Sequence, residues 1–169
     1  MQISGIGEGD VAVDASLGVS FDDFYRREYP GMLGLAVGLV DHRDRAEELV
    51  QDAFERTLIR WGRLDNPGGF LRRVLVNAAH SELRRRRVAR RFARRFRGEP
   101  AAVSAAPVIE DELMIALTRL TPQGRIALVL RFLDDRSEAD VARIMGCRVG
   151  TVKSLVSRGL VDLREVITS

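Results

Sequence analysis

The sequence predicts an all-α protein of two small helical domains joined by a flexible linker, the second domain containing a helix-turn-helix. Three observations carry this. Apolar residues recur three and four apart through the ordered stretches, and no stretch alternates with the period of two that strands require. The segment 98–110, "GEPAAVSAAPVIE", then breaks the helical pattern with Pro, Ala and Ser, and fully extended it would span about 40 Å. With 169 residues and 46% hydrophobic content, the chain can supply a core for each half.

Residues 1–19 are Gly-rich and aperiodic, and read as a mobile tail. The first domain, 20–97, opens at Ser20, whose spacing to Asp23 is that of a capping box. Phe21, Phe24 and Tyr25 begin an amphipathic helix that Pro30 and Gly31 interrupt before "MLGLAVGLV", giving two short helices or one kinked helix. Ala46, Leu49, Val50, Ala53, Phe54, Thr57, Leu58 and Trp61 form the strongest helical stripe, with Asp41 or Asp44 available at its start. Outside that stripe, Glu47, Glu48, Gln51, Asp52 and Glu55 leave an acidic, solvent-accessible flank. "GRLDNPGG" is a turn-rich loop, after which Phe70, Leu71, Val74, Leu75, Ala78 and Ala79 begin another helix. That helix runs into "RRRRVARRFARRFR", where Val88, Phe92 and Phe96 mark a side able to bury and arginines form a cationic ridge.

The second domain, 111–169, begins with "DELMIALTRL". Thr121 and Pro122 make an N-cap and N1 pair for a helix whose Ile126, Leu130 and Leu133 can face inward. Ser137 and Asp140 form another capping box. A short helix, a turn at "GCR" and a final helix come next. A helix-turn-helix needs a small residue where its helices cross, a glycine for the turn, and apolar residues pointing back from the second helix. Ala142, Gly146, Val152 and Leu155 meet those needs in order, with Val141 and Met145 completing the shared core. Arg148, Thr151, Lys153, Ser154, Ser157 and Arg158 fall on the other face or at the helix N-terminus, the part such motifs insert into the major groove. A helical hairpin in a bundle can show the same apolar pattern, but from Gly146 to Gly159 there is no acid, and hydroxyls with cations suit phosphates and base edges.

The formal net charge is +3, from 27 Lys and Arg against 24 Asp and Glu, and Lys153 is the only lysine. The ridge from Arg84 to Arg97 reads as a solvated face, a basic arm or, the favoured reading, a phosphate-tracking helix, because so many fixed cations repel one another without a polyanion. A single cysteine, Cys147, excludes an internal disulfide and fits a reducing cytoplasm; in the turn it reads as a small buried hydrophobe. No signal segment or membrane-spanning run is evident. Enzyme readings find little: His42 and His80 belong to no metal motif, and there is no phosphate loop or nucleophile triad. Glu47, Glu48 and Asp52 lack histidine support for a metal, so a solvated flank or docking surface is the stronger reading. No cofactor, small-molecule substrate or catalytic residue is expected. The rival function is that of an autonomous helix-turn-helix regulator, whose first domain dimerises or senses a ligand.

Both halves resemble the extracytoplasmic-function (group 4) sigma factors of bacterial RNA polymerase, of the short actinobacterial SigE-like type. The resemblance covers nearly all of residues 21–164. "DRAEELVQDAFERTLIRW" is similar to the polymerase-docking helix of region two, and "NPGGFLRRVLVNAAHSELRRRR" to its promoter-melting part. "LTPQGRIALVLRFLDDRSEADVARIMGCRVGTVKSLVSRGLVDLRE" is similar to region four. The resemblance implies core RNA polymerase as partner, through its beta-prime coiled coil and beta flap, with Glu48, Gln51, Asp52 and Glu55 at the coiled-coil contact. It implies promoter DNA as the second partner. Leu64 to Gly69, including Leu64, Asp65, Asn66 and Gly68, would hold a flipped base of the minus-ten element, with Asn77 near the strand and Arg84, Arg85, Arg86 and Arg87 on backbone. Arg148, Thr151, Lys153, Ser154, Ser157 and Arg158 would read the minus-thirty-five element. The family frequently has an anti-sigma partner. Leu155, Gly159 and the glycine-rich loop depart from the family's usual pattern.

Overall fold

The computed structural model describes residues 18–40, 42–97 and 112–167, and every regular element among them is helical. The tail and linker expectations fall mostly outside these residues; of 1–19 only Gly18 and Val19 are described, and Val19 packs against the core. No helix among the described residues is long and apolar enough to cross a membrane.

Helix α1, Phe21–Leu39, starts at the predicted cap: the Asp23 amide donates to Ser20 Oγ at 3.1 Å. It passes through Pro30 as one helix. An interior proline costs about 3 kcal/mol. Burial of Met32, Leu35 and Leu39 beyond it contributes about 1.5–3 kcal/mol each and outweighs that cost. Helix α2, Arg43–Ile59, is capped at His42 without a side-chain bond, while Asp44 lies in its first turn. Its buried face is the predicted stripe, except that Leu58 is 46% exposed. Here the chain leaves α2 through a 3-10 turn, Trp61–Arg63, which swings Trp61 into the core in place of Leu58. Trp61 meets Phe24 with ring centroids 4.9 Å apart, and Phe21 packs edge-on to it. Thr57 is buried, its hydroxyl satisfied by donation to the Ala53 carbonyl at 2.8 Å.

Helix α3, Pro67–Arg97, begins three residues before the expected Phe70, because Asn66 and Pro67 supply an N-cap and an N1 residue. It is 31 residues long, or about 46 Å. Leu71, Leu75, Val76 and Ala79 bury against α1 and α2. Farther along, the expected buried side is largely exposed among the described residues: Val88 and Phe92 are 61% and 63% exposed. The side chain of Phe96 lies outside the described set.

In the second half, α4 (Glu112–Arg119) precedes α5 (Pro122–Leu128), where the Gly124 amide donates to Thr121 Oγ1 at 3.1 Å. A π-helical turn, Val129–Leu133, continues α5. The wider turn shifts the face: Ile126 and Leu130 bury as expected, but Leu133 is 55% exposed. Helix α6, Glu138–Met145, ends at Gly146 with φ 66°, the left-handed cap predicted for the turn. Helix α7, Val149–Ile167, completes the described residues. Its Gly159 faces α5, where a Cβ would lie 2.8 Å from Leu128 Cδ1, so the departure from the family pattern is a helix crossing.

The two halves share one continuous core. The π-turn packs on α1, and α5 and α6 pack on α3. Arg125, 2% exposed, donates from Nε to the Gly38 carbonyl at 3.0 Å, and Arg72 Nε lies 2.7 Å from Asp134 Oδ2.

Candidate nucleic-acid interface

Val152, Leu155 and Gly159 turn one face of α7 inward, against α5 and α6. This fixes the opposite face outward, and Arg148, Thr151, Lys153, Ser154, Ser157 and Arg158 are all exposed. Arg148 ends the turn, its carbonyl accepting from the amides of Thr151 at 2.9 Å and Val152 at 3.2 Å. Ser154 Oγ donates to the Gly150 carbonyl and Arg158 Nε to the Ser154 carbonyl, which holds both side chains close to the helix. Lys153 Nζ lies 3.8 Å from Glu138 at the start of α6. Behind this surface Asp140 is the cap partner of Ser137, and that hydrogen bond, with the charges of Arg143 and Arg136, holds its carboxyl below its ordinary pKa. Cys147 is partly buried against the core.

The predicted base-binding loop is shorter than expected. Only Leu64, Asp65 and Asn66 precede α3, and Gly68 and Gly69 form its first turn. Asn66 is exposed, yet its Oδ1 accepts from the Gly69 amide at 2.8 Å, so that oxygen is committed to the cap. A Cβ at Gly69 would sit 2.8 Å from Asn66 Nδ2, which accounts for a glycine there. Asp65 is exposed and Leu64 half-buried, with Asn77 exposed farther along α3.

Along the arginine ridge, Arg84, Arg85 and Arg87 are exposed and Arg86 is partly covered. Glu82, whose side chain is 13% exposed, receives Arg86 at 2.9 Å, Arg85 at 2.8 Å and, from α2, Arg45 at 3.3 Å. Burial alone would raise its pKa; the Arg86 hydrogen bond and the three guanidinium charges overcome this and hold it below the usual carboxylate value. Glu82 thus links α3 to α2 through Arg45, while Arg85 and Arg86 pair with it within α3, a role their place in a charge run did not reveal.

Glu48, Gln51, Asp52 and Glu55 are exposed at i, i+3, i+4 and i+7 of α2, forming one acidic strip opposite the buried stripe. Glu48 also pairs with Arg45. Among the described residues, no group of three or more His, Cys, Asp or Glu side chains is arranged to hold a metal ion. Sequence reasoning missed a cleft of about 520 Å³ where Arg158 and Asp162 of α7 meet His80, Arg84 and Arg87 of α3. No local pattern foretells it, because its walls come from helices far apart in the chain.

Residues 24–89 match the family model described as Sigma-70 region 2, and residues 110–163 that of Sigma-70, region 4. The ECF RNA polymerase sigma factor EcfG of Rhodopseudomonas palustris is 31% identical over 146 residues, covering 82% of this chain and 80% of the relative. The RNA polymerase sigma-E factor of Streptomyces antibioticus is 30% identical over 159 residues, covering 87% and 84%. Among solved structures, the sigma factor RpoE in complex with the anti-sigma factor NepR from Bartonella quintana aligns with a TM-score of 0.65 and 27% identity. That alignment covers 87% of this chain and 98% of the other. With both sigma regions in order and relatives matched along most of their length, the chain belongs to the ECF family of RNA polymerase sigma factors.

Proposed function

We propose that the chain docks on core RNA polymerase through the acidic strip of α2, reads an upstream promoter element with α7, and captures an unstacked base near the start of α3. The exposed face of α7 carries this reading. It presents hydroxyls and cations without an acid from Gly146 to Gly159, on a helix whose other face is fixed by Val152 and Leu155. Arg148 and Arg158 suit guanine edges or phosphates, Thr151, Ser154 and Ser157 phosphates, and Lys153 a phosphate as a point charge. On the first half, residues 20–97, Leu64, Asp65 and the free edge of Asn66 bound the base site, while Gly68 lets backbone approach. Asn77, Arg84 and Arg87 follow the strand; Arg85 and Arg86 contribute while holding Glu82. Residues 98–110 link this half to 111–169. The chain acts as an initiation factor in the cytoplasm, where polymerase works, and an anti-sigma protein fits as a regulator by analogy with the NepR complex of the RpoE relative.

Gel shift and run-off transcription with and without core polymerase test the reading. Promoter-specific transcripts should appear only with both proteins, and reversing charge at Glu48 and Asp52 should abolish holoenzyme assembly. Tight binding to a palindrome by the chain alone would instead identify an autonomous regulator, and assembly unaffected by the reversals would remove the docking assignment.

A further inference from the structure

We propose that the C-terminal part of α3, residues 83–97, is an amphipathic anchor that lies along an anionic lipid surface, an inference that goes beyond the promoter reading and does not rest on it. Helix α3 buries Leu71, Leu75, Val76 and Ala79 against the core. Val88 comes thirteen residues after Leu75, and Phe92 thirteen after Ala79. At about 3.6 residues per turn, this places them about 140° round the helix from those buried side chains. Val88 and Phe92 are therefore a second apolar face rather than the frayed end of the core stripe, and both are exposed. With Ala89, Ala93, Arg84 and Arg85 they line a groove of about 590 Å³ along the helix.

Arginine borders this second face. Residues 83–97 hold nine arginines and no acid, and Arg84, Arg87, Arg90, Arg91 and Arg95 are exposed. So dense a row of fixed cations repels a second copy of itself, which argues against a dimer through Val88 and Phe92. A phosphate backbone would neutralise the arginines but leave the two apolar side chains in water. An anionic bilayer takes both: Val88 and Phe92 enter the boundary between headgroups and acyl chains, while the guanidinium groups stay level with the lipid phosphates. Each kind of contact is weak by itself, and stable attachment needs the two together. A helix with one apolar and one cationic face lies in the plane of the surface rather than across it. In that pose the core-facing side of α3 points away from the bilayer, which keeps the helical body in water.

The test uses the full-length chain, vesicles of phosphatidylglycerol and phosphatidylcholine in equal parts, and vesicles of phosphatidylcholine alone. Wild type should sediment with the anionic vesicles and stay in solution with the neutral ones; no binding to the anionic vesicles, or equal binding to both, overturns the proposal. Val88→Ser combined with Phe92→Ser keeps every charge and should lower the partition about tenfold or more, with an unchanged circular dichroism spectrum. Undiminished partition would mean that charge alone holds the chain, and overturns the anchor. Duplex DNA should bind wild type and double variant equally, and a parallel loss there would assign the two side chains to nucleic acid instead. Phe92→Trp supplies a second readout, because the one native tryptophan, Trp61, is buried. Its emission should move to shorter wavelength on anionic vesicles; an unmoved spectrum overturns the anchor even where the double variant loses helix. None of these measurements involves polymerase, so the anchor and the sigma-factor reading fail separately.

Discussion

Glu82 is a single carboxylate that three arginines surround, and its neutralisation leaves a tight cluster of positive charge between α2 and α3. Glu82→Gln should cost about 1–3 kcal/mol at neutral pH, measured by urea unfolding. Its folded pKa lies below its unfolded one, so its contribution is full above the ordinary carboxylate pKa and disappears as pH falls through the folded value. The stability gap between wild type and variant should therefore close on acidification; a gap constant from neutral to strongly acidic pH would show that the charge does not stabilise. Nothing in the sequence singled out Glu82, because its partner Arg45 is 37 positions away. Ser20, Thr121, Ser137 and Gly146 were legible because each acts within one turn of its own place in the chain.

Among the helices, α7 divides most cleanly into a buried face and the exposed face proposed to read DNA. Lys153→Ala and Arg158→Ala remove exposed charge, so stability should change by less than about 0.5 kcal/mol. Upstream promoter recognition by holoenzyme should weaken, each lost phosphate contact lowering the salt slope by about one; an unaltered footprint and slope would disqualify these two side chains as readers. Periodicity located this helix, its turn and its exposed residues correctly, since one amphipathic stripe determines all three. It failed where helices change type. The π-turn at Val129–Leu133 exposes Leu133, and at the 3-10 turn after α2 Trp61 stays in the core as expected while Leu58 is left exposed. Likewise Val88 and Phe92 have the spacing of a buried face, yet both are exposed on α3.

For the molecule as a whole, the continuous core has a thermodynamic signature. With the halves packed on each other, both should melt in one transition whose calorimetric and van't Hoff enthalpies agree, and Asp134→Arg should split it in two; two transitions in the wild type would mean that the halves are uncoupled. The contact between the halves was not legible in sequence, because Gly38, Arg72, Arg125 and Asp134 have no shared spacing and become partners only when distant helices meet. The acidic strip of α2, by contrast, is open to solvent. Docking through this strip, as proposed, needs no helix to move, so the rate of association with core polymerase should fall as ionic strength rises.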